Sequence, residues 1–253
     1  MVSPVILHIP HDSTDIPVKW RGNICMDDKG LAQEILAMTD MHTDDLYQLY
    51  GASRLRFPVS RLVLDPERFA DDKQEPMAAR GMGVIYTTTS KKEKLRDPVT
   101  LQERKELLST YYDPHHQKLT DMVEDALSTY DTCLIFDCHS FPKRSLPYEL
   151  RDENEERPEI CIGSDPFHTP SELVQELLSF FTDKGYSVGE NMPFAGALTP
   201  MKFYGLDKRV RSIMLEIRRD LYMDETTGNK LDRFGNIQRD ITDAMTMAVN
   251  YAV

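Results

Sequence analysis

The chain lacks the features that would place it in a membrane or on a nucleic acid. No run approaches the 18 apolar residues of a membrane span, and no basic segment precedes a signal-like run at the N-terminus. The formal net charge of −12 argues against a general binder of nucleic acid or membrane surfaces. An anionic substrate would therefore need a locally basic pocket.

Paired cysteine motifs, internal repeats and low-complexity segments are also missing. The four cysteines, Cys25, Cys133, Cys138 and Cys161, show no CxxC spacing, and three of the four lie in or beside apolar runs. Free buried thiols are the simpler interpretation, which points to a reducing cytoplasm. We therefore expect a cytoplasmic protein.

Short apolar runs alternate with longer amphipathic ones along the whole chain. With 253 residues, 40% of them hydrophobic, the chain can bury a core without a disulfide or metal, and we predict one domain spanning 1–253. The predicted strands are 4–9, 60–65, 83–87, 132–138, 159–163 and 212–217. Several are apolar on both faces, as strands are when helices cover both sides of a sheet.

Four segments have a helical pattern: 39–51, 100–130, 169–185 and 235–253. Thr100 and Glu103 form a capping box, Pro114 should kink or split the second helix, and Thr169 is placed to cap the third. The alternation predicts a three-layer α/β/α domain with a mixed, mostly parallel central sheet. In such sheets the site lies at the carboxyl ends of the strands.

Two histidines lie where predicted strands end. A single loop histidine is more often not a ligand, but His11 and His139 leave different strands, and two such histidines plus a carboxylate suit a catalytic zinc. Asp137 could fix the tautomer of a ligating histidine. His8 lies inside its strand and is predicted to be structural, so its HxxH spacing with His11 is accidental.

The predicted helix 39–51 offers the carboxylate. Asp40 and Asp44 lie one turn apart and off its apolar face, so either could reach a metal, although acids at a helix start are more often caps. His42 falls toward the apolar side and is predicted to pack.

Glu216 lies inside the last predicted strand. Alternation places it on the face opposite Ile213, Leu215 and Ile217, where an unpaired glutamate is costly to bury. It is either the partner of an arginine or a general base with a tuned pKa.

Arginines surround these points, including Arg61, Arg68 and Arg211. Singly each is most often a surface residue, but together they could form a basic pocket for an anionic substrate. The acidic stretch 149–159 directly follows "DCHSF", which makes it a conceivable lid.

Seven segments, in order, resemble motifs of the N-formylglutamate amidohydrolase family. They are "HIPHDSTDIP" (8–17), "TDMHTDDLY" (39–47), "SRLVLDPER" (60–68), "YYDPHHQKL" (111–119), "DCHSF" (137–141), "NMPFAG" (191–196) and "MLEIRRDLYM" (214–223). The family looks like a relative of zinc carboxypeptidases, and the resemblance implies their hydrolase-like fold. It also implies one metal ion, with zinc expected and another divalent metal as the alternative, and hydrolysis of N-formyl-L-glutamate to formate and glutamate, a step of histidine catabolism.

The resemblance also implies roles for individual residues. His11 and His139 would be metal ligands, with Asp40 or Asp44 as the third. Glu216 would be the general base. The substrate carboxylate would bind Arg68 first, with Arg61 or Arg211 next in order.

Two departures from the family motifs concern the substrate. An acid, Glu67, replaces the family's asparagine before Arg68, and "HDST" replaces a small residue and glycine. A negative charge beside the carboxylate clamp would disfavour a dicarboxylate unless it points away.

Two alternatives to this function stay open. One is a metallo-peptidase or deacylase for another N-acyl amino acid, and the other is a metal-free amino-acid-binding protein on the same fold. The expected partner is a small anionic N-acyl amino acid, with no nucleic acid or membrane, bound by a monomer or homodimer.

Overall fold

A mixed sheet forms the centre of the molecule. The computed structural model describes residues 3–149 and 156–252, and in them the strands β1 to β6 are Val5–Ile9, Ser53–Arg56, Cys133–Phe141, Ile160–Gly163, Val188–Glu190 and Val210–Arg218. Their spatial order is β2-β1-β3-β6-β4-β5. Strands β2, β1, β3 and β6 are parallel neighbours, whereas β4 pairs antiparallel with β6 and parallel with β5. The predicted mixed, mostly parallel sheet is confirmed.

Helices cover both faces of this sheet. The α-helices α1 to α7 are Val18–Arg21, Asp28–Met38, Thr43–Leu46, Leu101–Leu107, Asp113–Tyr130, Ser171–Asp183 and Phe234–Ala248. A π-helical turn spans Leu108–Tyr112, and 3₁₀ turns span Pro76–Arg80, Pro147–Glu149, Arg219–Leu221 and Val249–Ala252. Helices α6 and α7 pack on one face and α5 on the other, which gives the predicted α/β/α layers.

The period of two along the strands decides which side chains meet which helix. In β3, Leu134 and Phe136 pack in the cluster that contains α6 and α7, whereas Cys133 and Ile135 pack against α5. The α5 face therefore also receives Asp137 and His139, two and four residues further along the same strand. Polar residues at the end of the strand thus lie where α5 begins, not in the core.

Two predicted strands are wrong. Segments 60–65 and 83–87 are buried but irregular, and the backbone N–H of Asp65 donates to the carbonyl of Val84 at 2.9 Å. Their apolar side chains pack with Trp20 and Leu107 in a cluster beside the sheet. Apolar runs of this length are buried, but not by joining the sheet.

The helix predicted over 39–51 is also wrong, because only α3 forms there. His42 adopts a left-handed conformation with φ 68°, which separates α3 from Asp40. The N–H of Asp40 donates instead to the carbonyl of His11 at 3.0 Å. This contact fastens the loop after α2 to the chain leaving β1.

The remaining helical predictions are confirmed with small shifts. The capping box of Thr100 and Glu103 is present, and the predicted split occurs at the π-helical turn just before Pro114. Helix α6 begins at Ser171 with Pro170 as its N-cap, so Thr169 lies one residue outside the capping position. Within the described residues, no helix is long and apolar enough to cross a membrane.

The acidic segment 149–159 is described only at its ends, and 150–155 lie outside the described residues. Glu149 forms a salt bridge with Arg157, whose guanidinium lies 5.1 Å from the ring centre of Phe141 and 5.3 Å from that of Phe194. Both aromatic rings line the cavity that is described next. The two ends of the segment are therefore tied together beside this cavity, and its action as a lid stays a prediction.

Candidate active site

A cavity of about 810 Å³ lies on the α5 face of the sheet. Its walls come from the residues after β1, the carboxyl ends of β3 and β6, the first turns of α5, and the 194–204 segment. This is the edge at which open α/β sheets bind ligands. The predicted position of the site is therefore where the structure has its cavity.

His11 and His139 meet in this cavity, although 128 residues separate them. Their Nδ1 atoms are 3.3 Å apart, and Oδ2 of Asp40 lies 3.2 Å from Nδ1 of His139 and 3.7 Å from Nδ1 of His11. All three side chains are buried, with at most 4% of any residue exposed. Three potential metal-binding atoms thus converge at one point.

Carboxylates hold the other nitrogen of each ring. Nε2 of His11 lies 2.9 Å from Oδ1 of Asp65, and Nε2 of His139 lies 3.1 Å from Oδ1 of Asp137. Metal-binding histidines usually donate their second N–H to such a carboxylate, which fixes the tautomer. The predicted partner role of Asp137 fits this contact.

The pKa values of the side chains in this cluster differ strongly from their ordinary values. Burial alone would lower the pKa of His139, but Glu67 and Asp137 outweigh it and hold this pKa well above its usual value. Burial would likewise raise the pKa of Asp40, but hydrogen bonds to His11 and His139 hold it well below its usual range. Because metal ligands must be deprotonated, a bound cation would take the place of the histidine protons.

Glu216 faces the same cavity from β6. It is the register partner of His139 on β3, it is 7% exposed, and its Oε2 has no hydrogen-bond partner among the described residues. Burial is the main cause that raises the pKa of this carboxyl to about 8; the charges of Asp40 and Glu67 also act to raise it, and His139 acts to lower it. A buried carboxyl with a raised pKa is a good proton acceptor once it is ionised.

Arg61 and Arg68 also line the cavity. Nη2 of Arg61 donates to Oδ2 of Asp65 at 2.8 Å, whereas Arg68 stays 3.8 Å from Asp65 and 3.9 Å from Glu75. Arg68 therefore keeps donors for a ligand, and Arg61 is occupied by Asp65.

Asp44 and Arg211, in contrast, lie outside the cluster. Asp44 is on α3, with its side chain 46% exposed, and Oδ1 accepts from Nη2 of Arg54 at 2.6 Å. Arg211 lies near the start of β6, roughly 16 Å along the strand from Glu216, and bonds to the carbonyl of Tyr251. The short helix α3 turns Asp44 outward, and the strand period turns Arg211 to the opposite face.

His8 and His42, the other histidines that the sequence singled out, contact groups of the protein itself, as does His116. His8 is fully buried, with Nδ1 2.8 Å from Oδ1 of Asp137 and Nε2 2.9 Å from Nε2 of His115. His42 donates to the carbonyl of Gly228, and His116 to the carbonyl of Pro66.

Two residues that support the cluster are not among those predicted from the sequence. Arg219 donates from Nη2 to Oδ1 of Asp40 at 3.0 Å and from Nε to Oγ of Ser140 at 3.2 Å. Asp65 holds both His11 and Arg61. Both residues lie at the carboxyl end of a predicted strand, and this position was the available signal.

Within residues 3–149 and 156–252, two groups of buried or half-buried side chains could hold a metal ion. One consists of His11, Glu67 and His139, and the other of His8, Glu67 and Asp137. In the first, Oε1 of Glu67 lies 3.2 Å from Nε2 of His139, and Oε2 lies 3.7 Å from Nε2 of His11. Asp40 approaches the same two histidines from their Nδ1 side.

This architecture, with histidines, carboxylates and arginines gathered at the carboxyl ends of parallel strands, is that of an α/β hydrolytic enzyme. The family model for N-formylglutamate amidohydrolase matches residues 3–223. The chain belongs to this family, and it is an amidohydrolase.

Solved structures show the same fold. The crystal structure of N-formylglutamate amidohydrolase from Ralstonia eutropha JMP134 is similar with a TM-score of 0.83 and 22% identity, over 98% of this chain and 94% of that one. A gene product of Agrobacterium tumefaciens is similar with a TM-score of 0.65 and 19% identity, over 97% and 91%. No curated protein matches the chain.

Proposed function

We propose that the enzyme is a zinc-dependent amidohydrolase that cleaves the amide of an N-acyl amino acid. The family supports N-formyl-L-glutamate, cleaved to formate and glutamate, as one substrate. The observation that carries the proposal is the convergence of His11, His139 and Asp40 in a cavity that also contains the unpartnered carboxyl of Glu216.

The donor atoms fit zinc. Tetrahedral zinc with bonds of about 2.0–2.1 Å places its ligand atoms roughly 3.3–3.4 Å apart. The three separations among Nδ1 of His11, Nδ1 of His139 and Oδ2 of Asp40 are 3.3, 3.2 and 3.7 Å. Two nitrogens and one carboxylate, with one position left open, form the donor set of a catalytic zinc site.

Glu67 is the competing third ligand, on the Nε2 side of both rings. We favour Asp40 because buried carboxylates already lie beside both Nε2 atoms, Asp65 at 2.9 Å from that of His11 and Asp137 at 3.1 Å from that of His139, as expected when the metal is on the Nδ1 side. Asp40 is also fixed by the guanidinium of Arg219 and the backbone N–H of Ser140. The half-exposed Glu67 has no such support.

Different residues of the chain bind the metal, transfer the proton and bind the substrate in this proposal. The zinc that His11, His139 and Asp40 would hold would supply Lewis-acid chemistry, by polarising an acyl carbonyl and making water acidic enough to lose a proton near neutral pH. Glu216 accepts that proton from water and delivers it to the leaving amine. Arg68 binds the α-carboxylate of the amino acid through its free donors, which fixes the acyl group against the histidines.

The first test is metal content together with hydrolysis. We expect purified enzyme to contain about one zinc per chain, and chelation to remove activity that added zinc restores. Elemental analysis and an assay of N-formyl-, N-acetyl- and N-succinyl-amino acids measure this. Less than a tenth of an equivalent of zinc, with no gain when zinc is added, contradicts the proposal and favours a metal-free binding protein.

The second test asks which carboxylate binds the metal. We expect Asp40→Ala to weaken zinc binding by more than about a hundredfold, because loss of a ligand should exceed the roughly 10–100-fold effect of losing a ligand's partner. Asp44→Ala is the matched control and should keep wild-type affinity, since Asp44 pairs with Arg54 outside the cavity. If Glu67→Ala loses zinc while Asp40→Ala keeps it, the ligand assignment is wrong.

A further inference from the structure

The positive charges around the cavity are mostly neutralised. In the described part of the chain, the lysine and arginine side chains that line it are Arg61, Arg68, Lys202 and Arg219. Arg61 bonds to Asp65 at 2.8 Å, and Arg219 bonds to Asp40 at 3.0 Å. Neither arginine can take a substrate carboxylate without giving up a buried ion pair, which is costly.

Lys202 and Arg68 remain, and only Arg68 suits a ligand. Lys202 is 56% exposed and pairs with Glu124. Arg68 has no carboxylate within hydrogen-bond distance, and its buried Nε has no partner among the described residues. This guanidinium can bind one carboxylate bidentately. The described walls of the cavity contain no second arginine or lysine that lacks a carboxylate partner within hydrogen-bond distance.

The neighbouring residue adds a negative charge. Both carboxylate oxygens of Glu67 are directed at the histidine cluster, 3.2 Å from Nε2 of His139 and 3.7 Å from Nε2 of His11. Among the described residues, the ion-pair partners of Glu67 are the histidines His8, His11 and His139, and no arginine or lysine pairs with it. An amide placed at His11 and His139 therefore puts the amino-acid part of the substrate beside this charge, where a second carboxylate is repelled.

Much of the remaining lining is apolar. It includes Phe69, Phe194, Met201 and Met214, of which Phe69 is 45% and Met201 69% exposed at the mouth of the cavity. The volume of about 810 Å³ lies within the range of sites for drug-sized ligands and exceeds what a short N-formyl amino acid fills. An apolar side chain would bury its surface there.

We propose that, among N-acyl amino acids, this enzyme prefers those with a single carboxylate and a neutral, apolar side chain over dicarboxylates such as N-formylglutamate. The inference rests on the proposed function and refines its substrate class. Arg68 binds the one carboxylate, and Glu67 determines the specificity by repelling a second.

The test compares kcat/KM of the zinc-loaded enzyme for N-formyl-L-glutamate, N-formyl-L-glutamine and N-formyl-L-methionine. Glutamine has the shape of glutamate without its side-chain charge, so this pair isolates the charge. We expect the glutamine and methionine compounds to be hydrolysed with at least about a tenfold higher kcat/KM, equivalent to about 1.4 kcal/mol. Equal or faster hydrolysis of N-formylglutamate overturns the inference and leaves the proposed function intact.

The Glu67→Gln variant tests whether the charge of Glu67 itself causes the preference for uncharged side chains. It should reduce the glutamine-to-glutamate ratio of kcat/KM by about tenfold, and Glu67→Asn should do the same if the glutamine variant is unstable. Asp125→Asn removes one charge from the exposed side of α5, outside the cavity, and should leave the ratio unchanged. An unchanged ratio in both Glu67 variants also overturns the inference. Failure of the zinc-loaded enzyme to hydrolyse any of the three compounds instead contradicts the proposed function.

Discussion

Replacing His139 by alanine is expected to remove zinc and activity together. His139 offers Nδ1 to the point where His11 and Asp40 converge, while its Nε2 is held by Asp137 at 3.1 Å. Loss of this ring removes a ligand and the contact that orients it. We expect zinc affinity and kcat/KM each to fall by more than about a hundredfold, as judged by elemental analysis after dialysis and by turnover of the best substrate.

His42→Asn is the matched control for this variant. It removes a histidine whose Nε2 donates to the carbonyl of Gly228, away from the cavity. Asparagine tolerates the left-handed backbone at this position, so the change should not strain the chain. Zinc and turnover should both stay at wild-type values. A His139→Ala protein that still holds one zinc per chain, or still turns over normally, shows that the metal is not bound through this ring.

The sequence predicts the fold well where a strand is long and enclosed by helices. Strands β1, β3, β4 and β6 follow from their apolar runs, and helices α5, α6 and α7 follow from their apolar faces. Each of these elements buries a continuous apolar surface, so its pattern and its environment agree.

The prediction of an element is wrong where the apolar pattern of the segment does not match its surroundings in the fold. Segment 60–65 has an apolar run, but it is buried as a loop in a cluster beside the sheet. Strand β2 is the reverse case, because it lies at the edge of the sheet and Leu55 is its only buried residue. Periodicity reports burial, and only the tertiary fold decides whether a buried segment pairs as a strand.

The residues of the candidate site also divide into those that the sequence predicts and those that depend on the tertiary fold. His11, His139 and Glu216 are predictable because strand ends and the period of two fix both their position and their direction. Arg219 also follows a predicted strand, but its partner is not predictable, because its contact with Asp40 joins residues 179 apart through a 3₁₀ turn that the sequence does not indicate. The choice between Asp40 and Asp44 likewise depends on the left-handed turn at His42.

Glu216→Gln is expected to abolish turnover while zinc stays bound. Glutamine keeps the size of the side chain but cannot accept a proton, so we expect kcat to fall by roughly 10²–10⁴-fold. Zinc should remain at one equivalent, because the proposed ligands lie on β3 and on the segments that follow β1 and α2. Elemental analysis and steady-state kinetics on one preparation measure both results. Near-normal turnover would refute the role of Glu216 as the base.

Glu34→Gln is the matched control for the Glu216→Gln variant, because Glu34 is also a buried carboxyl. Glu34 is 4% exposed, and burial raises its pKa as it does that of Glu216, but both of its oxygens accept hydrogen bonds from Ser90 and it lies outside the cavity. Glu34→Gln should therefore keep both zinc and turnover. The two residues differ in their partners and in their location: Oε2 of Glu216 has no hydrogen-bond partner among the described residues, and Glu216 is the strand-register neighbour of His139. An unsatisfied buried carboxyl is costly to maintain, and this cost is consistent with the proposed role of Glu216 in proton transfer.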